Sequence, residues 1–459
     1  MASAADTAAA AAPQTRLTAV SSRIRDEYQR GPDVWSLFSP LVFPGATNLG
    51  QGFMSWAPPP FVRDALLSAS GERVDTHHYS HAKGRPRLRA ALAEYLGPSV
   101  HKPAPGAKDV PSDLGAPKLR EGAEKLDIET EVQVTAGANG GIYAAMTAFL
   151  EPGDEVLMFE PYFDQYICEV TYLGGKPVFV PLQPPADASS RIAGADEWSV
   201  DWDALEKAFG SGKVKAMILN TPHNPIGKVF SRDELSRIAA LAIKHDVLVI
   251  SDEVYDCLTY DGHEHIRIAA FEGMWERTLT VGSAGKSFAC TGWRIGWLVG
   301  PPHLIKPALV AHTRIVFTCN SAASEAAAIG LEQASSQNFF PTQIAEYAER
   351  RALLTGMLDN LGIKYTQPHG SYFVLADFAR LRIPEDFELP EEIKRRPRDF
   401  HMAWFVAKTC NVVTIPATAF VSDEHAGLYE NYLRWSFCKG ADEIAQATER
   451  LEKLRPYLE

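Results

Sequence analysis

Between residues 132 and 281 the chain repeats one pattern, in which short apolar runs alternate with amphipathic segments such as Ser231–His245. Alternation of this kind, with runs that are nearly continuous in apolar residues, is typical of strands buried on both faces. The runs predict strands at Val132–Thr135, Glu155–Glu160, Lys176–Val180, Ala216–Asn220, Val247–Ser251 and Thr278–Val281. The sequence therefore predicts an α/β fold with a mostly parallel sheet covered by helices.

Residues capable of chemistry follow directly after several of these strands. Sheets of this kind bind ligands beyond the carboxyl ends of their strands, where successive strand ends meet. The residues concerned are Asn139, Pro161–Phe163, Asn220–Pro225, Asp252–Tyr255 and Lys286. We therefore expect one crevice that contains all of them.

Lys286 has three interpretations. The small residues 282–285 before it let backbone approach a ligand closely, and Arg294 follows as a second cation. A nucleotide-binding loop would need a glycine six residues before the lysine, where Thr280 stands. A solvated surface lysine is the ordinary alternative. The interpretation that we favour is a lysine that forms a Schiff base with pyridoxal phosphate and later acts as a general base. Such a lysine requires partners elsewhere in the chain, and their presence in the sequence decides between the interpretations.

Those partners are present in the sequence. Asp252 would pair with the pyridinium nitrogen, and Tyr255 and Asn224 would donate hydrogen bonds to the ring oxygen. Phe163 would stack on the ring. Each alone has a simpler explanation, such as a turn residue or a core aromatic, but together with Lys286 they predict a cofactor site.

An anion site is expected for the phosphate of this cofactor. We expect a turn at Gly137–Gly141 and a helix at Ile142–Leu150, and the turn does not satisfy the dinucleotide fingerprint GxGxxG. Backbone amides at a helix N-terminus, a hydroxyl and a guanidinium are suitable donors. The expected donors are the amides of Ala138 and Asn139, Ser283 and Arg294.

A substrate site is predicted by Arg434, which lies in an expected strand, Tyr432–Phe437, and can clamp a carboxylate with two hydrogen bonds. An isolated surface ion pair is its ordinary alternative. Aromatic side chains would line the pocket and favour aromatic or large neutral amino acids over aspartate. They are Trp35, Phe163, Phe317 and Phe373.

Composition narrows the class of protein. The net charge of −12 is dispersed along the chain, which argues against nucleic-acid or anionic membrane partners. No apolar run approaches the ~20 residues that span a bilayer. The six cysteines form no CxxC pair and GHEHI lacks HExxH spacing, so we expect no metal site. We expect a cytoplasmic protein, with a weak mitochondrial presequence left as an alternative.

The domain boundaries follow from breaks in the pattern. Residues 1–15 are expected to be a disordered tail, and residues 98–127 an exposed insertion rich in Pro, Gly and Lys. A long helical stretch is expected from Pro301 to Leu361, followed by strands Tyr372–Leu375 and Val412–Ile415. We divide the rest into an N-terminal arm (16–55) that joins the small domain, a large cofactor-binding domain (56–335) and a smaller α+β domain (336–459).

Five segments give the chain a resemblance to a known family: NLGQGF at 48, NTPHNPIGKVFSRDEL at 220, SDEVY at 251, MWERTLTVGSAGKSFACTGWRIGW at 274 and YLRWSFCK at 432. They resemble the class I pyridoxal-phosphate aminotransferases, in particular the kynurenine aminotransferase, glutamine transaminase K and cysteine-conjugate β-lyase group. The resemblance implies fold type I and supports the roles given above to Lys286, Asp252 and Arg434. It also departs at Thr318, where the group often carries His, which bears on substrate preference.

Further roles come from the resemblance alone. It implies a homodimer with shared active sites, in which Tyr79 reaches the phosphate of the neighbouring subunit's cofactor and Phe317 lines its substrate pocket. Gly52 would contribute backbone to substrate binding. The function implied is transfer of the amino group of L-kynurenine, or of glutamine, methionine or phenylalanine, to a 2-oxo acid. The alternative is carbon–sulfur β-lyase activity in the same site; a ligand-sensing regulator is disfavoured because no basic DNA-binding region precedes residue 50.

Overall fold

A sheet of eight strands forms the centre of the protein. The computed structural model describes residues 20–24, 31–101 and 125–459. The strands follow one another in space in the order Val132–Thr135, Gly296–Val299, Thr278–Ser283, Leu248–Asp252, Val214–Asn220, Glu155–Glu160, Lys176–Gln183 and Ser199–Val200. The five strands from Thr278–Ser283 to Lys176–Gln183 are parallel, and the other three pairings are antiparallel. The prediction of an α/β fold with a mostly parallel sheet is confirmed.

The strands of this sheet are buried on both faces. Every residue of Val132–Thr135 and of Thr278–Ser283 is buried, which explains why the apolar runs do not alternate with polar residues. The strand Leu248–Asp252 ends in Ser251 and Asp252, which are also buried. Polar side chains at the carboxyl edge of the sheet therefore lie inside the protein, where they need partners.

Helices cover the sheet on both faces. One of them shows how the sequence sets a boundary: Ser231 accepts a hydrogen bond from the amide of Glu234 (3.2 Å), and the Glu234 carboxylate accepts one from the amide of Ser231 (2.8 Å). The long helices are Pro60–Glu72, Pro86–His101, Gly137–Phe149, Trp202–Gly210, Arg232–Lys244, Pro302–Ile315, Ser321–Ala334, Phe339–Asn360, Arg398–Cys410 and Ala441–Leu451. Shorter ones are Val34–Phe38, Gln165–Thr171, Ala284–Ser287 and Glu391–Lys394.

The expected turn at 137–141 is wrong, because the helix begins at Gly137 rather than at Ile142. Gly137 adopts a positive φ of 74°, which lets the chain enter the helix directly from the strand. A Cβ on Gly141 would lie 3.2 Å from Leu298 Cδ2 and from Thr135 Oγ1. The glycines therefore serve close packing of the helix on the sheet rather than a turn.

A second sheet lies in the C-terminal part of the chain. Its strands, in spatial order, are Ile415–Pro416, Tyr432–Ser436, Phe373–Asp377, Lys364–Gln367 and Ala193–Gly194. The last of these comes from the region assigned to the large domain and pairs in parallel with Lys364–Gln367. Nearby, the indole of Trp198 donates a hydrogen bond to Thr366 Oγ1 (3.0 Å). A separate parallel pair joins Thr47–Asn48 to Val412–Val413.

Some expected elements differ in the structure. The helical stretch 301–361 is three helices, interrupted where Phe317 and Asn338 adopt positive φ values of 73° and 47°. The expected strand 412–415 is split into Val412–Val413 and Ile415–Pro416. The tail 1–15 and residues 102–124 of the insertion lie outside the described residues, whereas residues 98–101 continue the helix Pro86–His101. In the described part of the chain, no helix is both long enough and apolar enough to cross a membrane.

Candidate active site

Lys286 lies in the short helix Ala284–Ser287, directly after the strand Thr278–Ser283. Its Nζ donates hydrogen bonds to the carbonyl of Gly52 (3.2 Å) and to the hydroxyl of Tyr372 (2.8 Å). Burial lowers the pKa of Lys286 to about 8, and the cations Arg434 and Arg294 act in the same direction. The amine therefore loses its proton far more readily than a surface lysine.

Asp252 ends the neighbouring strand and is 5% exposed. Its Oδ2 accepts a hydrogen bond from the hydroxyl of Tyr166, and its Oδ1 accepts one from the amide of Val254 (3.3 Å). Burial raises the pKa of Asp252 to about 6, although the Tyr166 hydrogen bond and the Lys286 cation favour the charged form. A carboxylate and an amine that influence each other's pKa thus lie on adjacent strands of one sheet edge.

A set of anion-binding groups surrounds the start of the helix Gly137–Phe149. The amides of Ala138 and Asn139 are among the first four of the helix, which have no acceptor within the helix. The guanidinium of Arg294 packs against Gly137, where a Cβ would lie 2.4 Å from Nη2. Arg294 itself has a positive φ of 55° and donates from Nη1 to the carbonyl of Thr291 (3.0 Å). Because Gly137 has no side chain, the Arg294 guanidinium can lie next to the N-terminus of the helix.

Arg434 is a buried cation on the strand Tyr432–Ser436 and is 2% exposed. Its Nη2 donates to the carbonyl of Gly50 (2.8 Å) and its Nη1 to Asn224 Oδ1 (3.3 Å), while its Nε has no partner among the described residues. Burial lowers the pKa of Arg434 to about 10, so it remains charged at neutral pH. No carboxylate in the described part of the chain lies at hydrogen-bonding distance from this buried cation, which makes it suited to an anionic ligand.

Aromatic rings enclose this arginine. Its guanidinium carbon lies 4.5 Å from the ring centroids of Phe373 and Phe420 and 5.6 Å from that of Trp35. Gly52 is close to the same rings, because a Cβ there would lie 2.6 Å from Phe373. The substrate residues expected at Trp35, Gly52, Phe373 and Arg434 therefore form one group of contacts.

Two expected site residues lie elsewhere. Tyr79 and Phe317 contact each other edge to face, with ring centroids 5.1 Å apart, and are 83% and 53% exposed. They lie on the surface rather than in the crevice of Lys286. Their assignment to a neighbouring subunit's site remains a prediction.

Three residues of the site were missed by sequence reasoning: Tyr166, Asp164 and Tyr372. Tyr166 and Asp164 follow Phe163 within the segment 161–166, and Phe163 contacts the Tyr166 ring edge to face at 5.6 Å. Tyr372 precedes Phe373, so its neighbour was recognised but its hydroxyl was not. In the described ranges no group of three or more His, Cys, Asp or Glu side chains is arranged to hold a metal ion.

Comparisons with known proteins agree with this geometry. The chain is 37% identical to a kynurenine–oxoglutarate transaminase of Dictyostelium discoideum, covering 93% of this chain and 94% of that protein. It is 36% identical to human kynurenine–oxoglutarate transaminase 3, covering 92% and 87%. The crystal structure of Bna3p from Saccharomyces cerevisiae superposes with a TM-score of 0.87 at 39% identity, covering 96% of this chain and all of that chain.

The fold and the site define an enzyme of fold type I, the architecture of pyridoxal-phosphate-dependent transferases. The sequence profile described as aminotransferase class I and II matches residues 44–451. The chain belongs to this family and is an aminotransferase.

Proposed function

We propose that the protein transfers the amino group of L-kynurenine, or of another aromatic or large neutral L-amino acid, to a 2-oxo acid with the help of pyridoxal phosphate. The observation that carries this proposal is the position of Lys286 and Asp252 at the ends of adjacent parallel strands, where a buried amine with a lowered pKa and a buried carboxylate favour each other's charged form. The similarity to kynurenine–oxoglutarate transaminases supports the substrate class. Nothing in the comparisons favours the β-lyase alternative.

The residues present fit pyridoxal phosphate. Lys286 offers an amine to the aldehyde of the cofactor, and Asp252 offers a carboxylate to the ring nitrogen. Tyr255 and Asn224 offer hydrogen-bond donors to the ring oxygen. Burial raises the pKa of Tyr255, so its hydroxyl keeps the proton that it would donate. Ala138, Asn139, Ser283 and Arg294 would hold the phosphate, and Phe163 would face the ring.

The chain supplies the proton transfer and the positioning. When bound, the cofactor provides an electron-withdrawing ring that stabilises negative charge on the substrate carbon next to the amino group. The Nζ of Lys286 can remove the proton from that carbon and return one, since a pKa of about 8 lies near neutral pH. Asp252 keeps a proton on the ring nitrogen, and Arg434 fixes the substrate carboxylate.

The proposed substrate class can be tested with purified holoenzyme. We expect kynurenic acid to form from L-kynurenine with either 2-oxoglutarate or phenylpyruvate as acceptor, and L-aspartate to be a poor amino donor. The pocket around Arg434 is aromatic, and no second arginine is expected to bind the aspartate side chain. Normal turnover of aspartate without any kynurenic acid would refute this substrate class.

Arg434→Lys is expected to weaken substrate binding. Lysine keeps the charge but cannot form two parallel hydrogen bonds to a carboxylate, so kcat/KM for kynurenine should fall roughly 10- to 100-fold, mainly through KM. Steady-state kinetics measures the change, with the exposed Arg314→Lys as the matched control. An unchanged KM would show that the substrate carboxylate binds elsewhere.

Tyr166→Phe is expected to shift the pH dependence of cofactor binding. Asp252 must be anionic to pair with the protonated ring nitrogen. The affinity of the cofactor-free protein for pyridoxal phosphate should therefore decrease at pH values below the Asp252 pKa of about 6. The Tyr166 hydrogen bond favours the charged form, so its loss raises this pKa and the affinity should fall at a higher pH. Titrations with pyridoxal phosphate between pH 5 and 8.5 would measure both proteins.

The phosphate group of the ligand also titrates near pH 6. Its contribution is the same for both proteins, so the difference between the two curves reports Asp252. Superimposable curves would mean that Tyr166 does not influence this carboxylate.

We also propose a homodimer with shared active sites. The exposed aromatic pair Tyr79 and Phe317 supports it, because large aromatic side chains exposed to this extent commonly lie in interfaces. Sedimentation of the wild-type protein beside a Tyr79→Ser, Phe317→Ser variant would test it, with a weaker dimer expected for the variant.

A further inference from the structure

Asp164 connects the N-terminal part of the chain to the candidate active site. It directly follows Phe163 and precedes the helix Gln165–Thr171. Its Oδ2 accepts a hydrogen bond from the indole Nε1 of Trp35, a residue 129 positions earlier. The carboxylate therefore lies between the aromatic residue proposed to face the cofactor ring and one proposed to line the substrate pocket.

The Asp164 carboxylate is incompletely satisfied. Its Oδ1 is buried and has no hydrogen-bond partner within the described ranges. Burial raises the pKa of Asp164, whereas the Trp35 hydrogen bond, the Arg434 cation and the neighbouring Gln165 favour the charged form. The attraction is mutual, because Asp164 also favours the charged form of Arg434. Asp164 is thus the acidic neighbour of the proposed carboxylate clamp.

The charges of the site can be matched to those of the proposed ligands. Arg294 would neutralise the cofactor phosphate, Asp252 the protonated ring nitrogen, and Arg434 the α-carboxylate of the substrate. Once the substrate carboxylate binds Arg434, the charge of this cation is shared between the substrate and Asp164. An additional negative charge in the substrate side chain would then meet a carboxylate in surroundings of low dielectric constant, where repulsion is strong.

We propose that Asp164 is a specificity-determining residue whose charge disfavours amino donors and 2-oxo acids that carry a second carboxylate. This inference rests on the proposed function and adds a physical reason for its preference for neutral side chains. Repulsion between charges acts through space, so it does not require contact between Asp164 and the substrate. The protein should accordingly use 2-oxoglutarate less well than a neutral 2-oxo acid.

Glutamine and glutamate form the matched pair for the test, because they have nearly the same shape and differ in side-chain charge. The amino-donor half-reaction of the holoenzyme would be followed by the change in cofactor absorption, without any acceptor. In Asp164→Asn, the ratio of the second-order rate constants for glutamate and glutamine should rise at least tenfold over wild type. Asparagine keeps the shape and can still accept from Trp35, so the variant changes mainly the charge.

Asp164→Glu is the control for a purely structural role, since it changes the length of the side chain and keeps a carboxylate at this position. Its glutamate-to-glutamine ratio should stay within threefold of wild type. Equal changes with both substrates in Asp164→Asn, or the same tenfold rise in Asp164→Glu, would overturn the inference. Absence of any half-reaction in wild type, with kynurenine as well, would instead refute the proposed function.

Discussion

Replacing Lys286 by alanine is expected to abolish the visible absorption of the bound cofactor and to lower the transamination rate by at least ~10³-fold. The expected loss is large because one amine serves as both the attachment point and the proton carrier. The Lys286→Arg variant should show an equally large loss of cofactor absorption and of transamination rate, since a guanidinium keeps the charge but does not provide a free amine. Absorption spectra and single-turnover rates of both variants measure the effect.

The control for this experiment is Lys244→Ala, which removes an exposed lysine at the end of the helix Arg232–Lys244. Thermal unfolding of all variants would show whether they are folded. If Lys286→Ala kept the wild-type spectrum, a different amine would have to hold the cofactor, and the assignment of the site would be wrong.

Asp252→Asn is expected to give the second-largest effect. Removing one partner of a buried charge pair costs about 2–5 kcal/mol, which corresponds to a loss of roughly 30- to 4000-fold in kcat/KM. Asparagine can still accept the hydrogen bond from Tyr166, so the loss reports the charge rather than the shape. Steady-state kinetics at saturating cofactor is the appropriate measurement.

Asp246→Asn provides the comparison, because Asp246 forms an ion pair with Arg277 (2.7 Å) but its side chain is 93% exposed. Such surface pairs contribute little to stability, and this one lies outside the site. Wild-type activity in Asp252→Asn would mean that the ring nitrogen does not need a charged partner, and the proposed mechanism would lose its electronic basis.

Much of the fold and of the candidate site could be predicted from the strand pattern. Asp252 ends one strand and Lys286 follows the next, and both were expected at one sheet edge because parallel strands place their carboxyl ends together. Arg434 was expected from its position in a strand of the small domain, and its contact with Asn224 joins the two regions. These residues stand out because each is a polar or charged group in an apolar context.

The residues that were missed act through contacts that the sequence does not encode locally. Tyr372 and Tyr166 look like core tyrosines, and only the three-dimensional packing shows that their hydroxyls face Lys286 and Asp252. The segment 137–141 was misassigned because its glycines were interpreted as turn formers. In the structure they allow close helix–sheet packing, a tertiary effect that local propensity does not report.

The small sheet takes its edge strand, Ala193–Gly194, from a segment more than 160 residues before its neighbour Lys364–Gln367. A fragment expressed from residue 336 onward would therefore leave that neighbour with unpaired backbone groups and would lose the indole partner of Thr366. An exposed strand edge of this kind can pair with a strand of another chain, which leads to aggregation. A truncated protein made for crystallisation or for domain exchange should therefore keep residues 193–198 together with the small sheet. We expect a fragment that lacks them to aggregate.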